Sequence, residues 1–378
     1  MKIVYLSSSQ LPSSNANSVH VMKMCAAFAR NHHDVLLYAL EGKDGSPQDI
    51  FHIYGLEKNF HLKTVSVFMW KWLWNVFYLL KIFIDLKKST FVPDVFYSRY
   101  IYAAALASLF YRDRSVVFEA HALPRNFLEK RLESWLFGQK NFSHLVVISQ
   151  VLKDDYLLTR FGLVSEKITV AHDRADLYPT SANQKGPVVD KHSFKLGYTG
   201  KLMEGKGMSL LVELASLCPE EEFHLWGGSP DQIDFWSRFV NTDNFIFHGH
   251  VEHGSLLDQC VDIDVFLAPI QKKSMLSKSY DIGRWTSPLK IFEYMSYCKP
   301  IIASDIPVLR EILTHRQNAL LIDPADVSGW HDAIQELKEN RPLMKKLAQE
   351  AYSTLKKYYT WDMRAQNVLT PLVSSKET

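Results

Sequence analysis

Two lysines five residues apart, Lys201 and Lys206, stand in the stretch Leu196-Gly197-Tyr198-Thr199-Gly200-Lys201-Leu202-Met203-Glu204-Gly205-Lys206-Gly207. Glycines let a polyanion approach the backbone, and two ammonium groups can neutralise a diphosphate as its bond to a sugar breaks. A second anion signal is Ser287-Pro288-Leu289-Lys290-Ile291-Phe292-Glu293-Tyr294-Met295. Ser then Pro reads as the N-cap and first position of a helix, which turns the N–H groups of Leu289 and Lys290 outward at its positive end. Lys290 adds a formal charge there, and Glu293 lies near enough to accept hydrogen bonds from vicinal sugar hydroxyls. Each pattern alone also fits a plainer structure, a capped helix with a solvated Glu or a lysine-bearing surface loop.

A third signal, Phe118-Glu119-Ala120-His121, ends a strand, so that His121 faces a ligand or sits as a satisfied structural histidine. The turn Ser7 to Ser18 carries Ser13, Ser14, Asn15, Asn17 and Ser18 but no GxGxxG, which counts against a nicotinamide enzyme. GKS or GKT, HExxH and GxSxG are missing as well. No metal is expected, because Asp262-Ile263-Asp264 runs into a strand and Cys25, Cys218, Cys260 and Cys298 are scattered.

These segments need a frame. Short β-branched runs alternate with helical patterns, the signature of βα units on parallel sheets. Strands are expected at Ile3–Leu6, Val35–Ala39, Val95–Tyr97, Ser115–Glu119, His144–Ile148 and Lys167–Ala171, then at 194–199, 222–226, 244–248, 265–269, 300–303 and 318–322. The 378 residues, 47% apolar, suffice for two domains. A polar, turn-forming stretch between Tyr178 and Lys195 reads as the linker. The division expected is 1–180, 181–355 and a helical segment 356–378 that returns to the first domain. Two open sheets facing each other would form a cleft at the carboxyl ends of their strands. A net charge of +2 gives no general drive toward nucleic acid, and unpaired cysteines suit a reducing cytosol.

In their order along nearly the whole chain, these motifs resemble the family 4 glycosyltransferases of GT-B fold. The resemblance rests on the Ser/Asn-rich turn before Val19-His20-Val21-Met22-Lys23, on Phe118 to His121, Ile148-Ser149 with Leu152-Lys153, and Val170-Ala171-His172-Asp173. It continues through Gly200-Lys201 with Lys206-Gly207 and Ser287 to Glu293 with Lys299-Pro300. It implies two Rossmann-like doubly wound α/β domains, a nucleoside-diphosphate sugar donor, a hydroxyl acceptor (glycan, lipid-linked saccharide or small molecule), retention of configuration and no bound metal. It further implies a part in polysaccharide biosynthesis and a cytoplasmic location. Carried over by position, Lys201 and Lys206 hold the diphosphate beside Gly200 and Ser287. Leu289 and Lys290 hold the distal phosphate, Glu293 the ribose, and His121 the transferred sugar; Ser14, Asn15 and Asn17 face the acceptor. A nucleotide-sugar epimerase of the same fold and a non-catalytic glycosyltransferase-like subunit are the alternatives.

Two departures stand out. The family pattern of two Glu separated by seven residues is broken, since Trp285 stands eight before Glu293. Arg174 follows His172-Asp173 where glycine is usual, so either Arg174 is strained or the turn differs. Finally, Val65 to Lys88 carries Trp70, Trp72 and Trp74 with interleaved lysines, too interrupted to span a bilayer. It reads equally as a helix in the membrane interface on the inner face or as one packed on the first sheet.

Overall fold

The computed structural model describes residues 1–42, 50–67, 74–159, 161–178, 193–272, 275–277, 280–281 and 283–374. The chain forms two compact units, Met1–His172 with Trp361–Thr378 and Asp173–Thr360. The division thus falls ahead of the stretch where the sequence places the linker, most of which lies outside the described residues.

The first unit holds a seven-stranded sheet in the order β3-β2-β1-β4-β5-β6-β7. Its strands are β1 (Lys2–Leu11), β2 (Asp34–Glu41), β3 (His61–Val65), β4 (Val95–Ser98), β5 (Ser115–Ala120), β6 (Phe142–Val147) and β7 (Ile168–Val170), all parallel. Ile3 to Leu6 are fully buried, as expected of a parallel strand covered on both faces. β5 delivers Glu119 into the interior and ends just before His121.

The second unit runs β10-β9-β8-β11-β14-β15, with β8 (Phe194–Thr199), β9 (Glu221–Trp226), β10 (Phe245–Gly249), β11 (Val265–Ala268), β14 (Ile301–Ser304) and β15 (Leu320–Ile322). A small antiparallel pair, β12 (Met275–Ser277) and β13 (Tyr280–Asp281), lies outside it. Alternate residues of β11 feed two cores: Phe266 and Ala268 pack with the helix Leu289–Ser296, whereas Val265 and Leu267 pack with the helices Met208–Leu217 and Val327–Glu339. Strand order reverses between β8 and β11, which makes the loop after β8 the place where such a sheet binds ligands.

The helix Trp74–Lys88 resolves the aromatic segment into two faces. Tyr78, Leu79, Ile82, Phe83 and Leu86 are buried, while Val76, Leu80 and Ile84 form an exposed apolar row at four-residue spacing. Trp74 Nε1 donates to the Val67 carbonyl at 3.1 Å; Trp70 and Trp72 lie outside the described residues. Among the described residues no helix is long and apolar enough to cross a membrane.

Candidate functional site

In the second unit the loop after β8 and the start of the helix Leu289–Ser296 come together. The Tyr294 hydroxyl accepts from the Thr199 N–H at 2.8 Å, and its ring stacks on Phe266 at 4.2 Å, which pins the helix to the ends of β8 and β11. Gly207, at φ +86°, closes the loop against the residue after β11: a Cβ there would lie 2.1 Å from the Pro269 carbonyl oxygen. Only glycine permits that approach.

Lys290 carries the unusual feature. Its ammonium is buried with no hydrogen-bond partner among the described residues, 3.7 Å from the centroid of the Tyr198 ring and 3.1 Å from where a Cβ on Gly200 would stand. Burial and the neighbouring Lys206 hold it well below the ordinary ammonium range, with Glu293 opposing them. Burial and Lys201 lower Lys206 too. Desolvated like charges on one loop and one helix start are poised for an anion between them. The Asp262-Ile263-Asp264 triplet is remote from this chemistry: it leads into the amino end of β11, where Asp264 accepts from the Lys195 N–H at 2.9 Å.

Glu293 is paired. Its Oε1 lies 2.8 Å from His253 Nε2, and both side chains are mostly buried. Its other oxygen has no hydrogen-bond partner among the described residues. His253, in a short turn before the helix Leu256–Gln259, had no sequence signal.

One local expectation, the Ser287 cap, is corrected, and the alternative left open at Arg174 is decided. The helix begins at Leu289 with Pro288, extended at φ −77° and ψ 119°, as its N-cap, so Ser287 does not cap it. Its buried Oγ instead accepts from the Asp173 N–H at 2.8 Å. Pro288 itself takes an extended ψ of 119° in place of the helical value near −42°, so the first helical turn starts one residue past the Ser-Pro pair. Arg174 is not among the described residues with positive φ, so the turn differs from one that needs glycine; its guanidinium packs 4.7 Å over the Tyr359 ring. Trp285, in the position of the missing acid, ends a turn over Gly283–Trp285.

The first unit holds a separate cluster. His121 Nε2 lies 2.6 Å from Glu119 Oε1, and His20 Nε2, from the helix Ala16–Arg30, lies 2.9 Å from the same oxygen. Arg364, in the helix Trp361–Ser374, completes it: Nη2 donates to Oε1 at 3.0 Å and Nη1 to Oε2 at 3.3 Å. The Tyr97 hydroxyl also donates to Oε2. Burial works to raise the Glu119 carboxyl, but Arg364 and His20 hold it well below the usual carboxylate range. Burial and Arg99 lower His121 to about 3, so its ring is neutral at pH 7 although a quarter of it (26%) is exposed. His20, Glu119 and His121 could by spacing surround a metal ion. The guanidinium 3.0 Å from Glu119 already neutralises that carboxylate with a permanent positive charge, which makes the cluster a poor site for a cation.

Glu119 had a signal, an acid inside the apolar run Val116-Val117-Phe118-Glu119-Ala120, which demands a buried cation. Arg364 had none, being 245 residues away. Ser14, Asn15 and Asn17 are exposed around the start of the helix Ala16–Arg30, whose entry turn is tied down by Ser13, Ser18 and Tyr54.

Residues 18–176 match the model of a family described as Glycosyltransferase Family 4, and residues 193–340 match that of Glycosyl transferases group 1. An O-antigen chain mannosyltransferase of Salmonella typhimurium, RfbU, is 24% identical over 234 residues, which is 57% of this chain and 57% of that protein. The fold is GT-B. The Anabaena HepE structure in complex with UDP-glucose superposes with a TM-score of 0.71 at 17% identity, covering 99% of this chain and 100% of that one. Sucrose-phosphate synthase from Thermosynechococcus elongatus gives 0.73 at 15% identity, with both chains fully covered.

Proposed function

This chain belongs to glycosyltransferase family 4, and from that premise we propose that it moves a sugar from a nucleoside-diphosphate sugar to a hydroxyl acceptor with retention of configuration. One observation carries the reading: the buried ammonium of Lys290, which has no hydrogen-bond partner among the described residues, with Lys206 close by at the reversal point of the second sheet. A diphosphate supplies the charge that this site lacks, and HepE holding UDP-glucose is consistent with such a donor. In this reading Lys201 and Lys206 bind the diphosphate beside Gly200 and Ser287. The N–H groups of Leu289 and Lys290 take the distal phosphate, Glu293 the ribose and His121 the transferred sugar. Ser14, Asn15 and Asn17 line the acceptor side.

The departing diphosphate then takes the proton of the incoming hydroxyl on the same face of the sugar, and the protein contributes positioning and electrostatics. No metal is required, since lysines do the neutralising. Transfer assayed in EDTA will therefore proceed at the rate seen with added Mg²⁺ or Mn²⁺; strict metal dependence would show that the diphosphate site is misassigned. Donor consumption that needs no acceptor would favour the epimerase alternative, and donor binding with no turnover the non-catalytic one. RfbU acts on O-antigen chains, which supports a role in polysaccharide biosynthesis.

Peripheral contact with a membrane surface is part of the same reading. The exposed row Val76, Leu80 and Ile84, with Lys81, Lys87 and Lys88 on the same helix, fits an interface-lying helix on anionic lipid. Changing the three apolar residues to Ser is expected to reduce flotation with anionic vesicles while leaving the melting temperature nearly unchanged. Ile82→Ala, in the buried face, should cost about 2–5 kcal/mol and leave flotation of the folded fraction intact. Equal flotation of wild type and triple variant would remove this helix from the interface.

A further inference from the structure

We propose that Glu119 is a positioning residue: its carboxylate holds His121 as the Nε2–H tautomer, so that Nδ1 is the ring atom that accepts a hydrogen bond from the transferred sugar. The inference rests on the assignment of His121 to that sugar, but the tautomer can be measured without any substrate.

The geometry leaves one arrangement of protons. Three nitrogens converge on Glu119 Oε1: His121 Nε2 at 2.6 Å, His20 Nε2 at 2.9 Å and Arg364 Nη2 at 3.0 Å. Oε2 receives the Tyr97 hydroxyl and Arg364 Nη1. A carboxylate facing a guanidinium on both oxygens is ionised and has no proton to give, so the hydrogen in the His121 contact sits on Nε2. A neutral imidazole has one N–H, which leaves Nδ1 as a bare acceptor. Nδ1 has no hydrogen-bond partner among the described residues. Burial, Arg99 and His20 keep the ring neutral, outweighing the opposing pull of the Glu119 carboxylate.

The lock is remote in sequence from what it positions. Arg364 anchors the carboxylate and is itself held by the carbonyls of Ala171 and His172 at 3.0 Å each. The helix Trp361–Ser374 therefore sets the protonation pattern of a residue at the end of β5.

Histidine ¹⁵N NMR of the full chain without donor tests the tautomer, with His121→Asn assigning the signal. The expected result is a neutral Nε2–H ring at pH 7. Glu119→Gln keeps the shape but presents an amide hydrogen to a group that needs an acceptor. It should mix the tautomers and lower kcat about ten- to a hundred-fold, with KM for donor nearly unchanged. His121→Asn, whose Oδ1 branches where Nδ1 does, should retain more activity than His121→Gln, whose amide reaches the Nε2 position. A purely structural Glu119 would not move the tautomer or produce that order. Should Glu119→Gln fail to fold, the wild-type tautomer and the Asn-over-Gln order still decide. An Nδ1–H ring or an imidazolium in the wild type overturns the proposal. So does a folded Glu119→Gln protein with wild-type kcat beside an inactive His121→Ala. An Nε2–H ring in an enzyme that transfers normally as His121→Ala overturns it through its premise, the sugar contact, while leaving the lock itself standing.

Discussion

Arg364→Ala will destabilise the unit that contains it by about 3–5 kcal/mol and lower its melting temperature by roughly 6–20 °C. Arg364 and Glu119 are both fully buried, so removing the guanidinium strands an ionised carboxylate in the interior. It also leaves the Ala171 and His172 carbonyls without their donor. Charge, more than packing, sets the loss. The double variant Arg364→Met with Glu119→Leu should recover the part due to the stranded charge, though not the part due to the carbonyls and the Tyr97 hydroxyl left unpaired, and a double-mutant cycle reads that interaction directly. The pH dependence has a definite sign. The Glu119 carboxyl titrates below its unfolded value of 4.5, so its contribution is complete above about pH 4.5 and is lost as pH falls through the folded value. His121 and His144, depressed chiefly by burial to about 3 and about 4 from 6.5, bind protons first when unfolded. Stability of this unit therefore starts to fall as pH drops below about 6.5, before the carboxylate contributes. Melts across pH 3–8 check both points; an unchanged midpoint in Arg364→Ala would mean that the pair is not formed.

What the sequence disclosed follows the physics of each signal. Strands β1, β2, β4, β5 and β6 are legible because a strand covered on both faces is a continuous apolar run. β3 is not, since His61–Val65 lies at the sheet edge, half exposed, and merges into the aromatic segment that follows. The proposed anion site rests on local signals for a similar reason: glycines, lysines and a helix start lie within short windows, and local chemistry leaves a local trace. The Ser287 misreading shows the limit of that logic. Both a cap and a long-range acceptor are served by one hydroxyl, and only the fold brings Asp173 to it. The Glu119 cluster required contacts between residues 20, 97, 119, 121 and 364, where sequence distance carries no information. His253 against Glu293 belongs to the same class. The two readings of the helix Trp74–Lys88 do not exclude each other, because one face is buried while the other is apolar and exposed.

Lys290→Met is expected to weaken nucleoside diphosphate binding about ten- to a hundred-fold while making the unliganded protein more stable. An ammonium buried, as this one is, with no hydrogen-bond partner among the described residues is unfavourable to the fold, only partly offset by its position over the Tyr198 ring. Methionine keeps most of the volume and removes the charge. The same desolvation makes the lysine a strong partner for a diphosphate, because a charge-assisted contact in a water-poor site contributes roughly 1.5–3 kcal/mol. Proton linkage gives an independent reading. The Lys290 ammonium is depressed before binding, and an adjacent anion raises it, so over the pH range between the two values binding takes up a proton and affinity falls as pH rises. In the unliganded protein the sign is opposite: the unfolded chain holds the proton more tightly, and this group's penalty is relieved as pH rises. Lys206→Ala should act mainly on kcat, through the leaving diphosphate, and Glu293→Ala mainly on nucleotide affinity, through the ribose. Calorimetry with UDP, GDP and ADP in buffers of different ionisation enthalpy measures affinity and proton uptake together. Wild-type affinity in both Lys290→Met and Glu293→Ala, with no proton uptake in the parent, would exclude the loop after β8 and the start of the helix Leu289–Ser296 as the donor site.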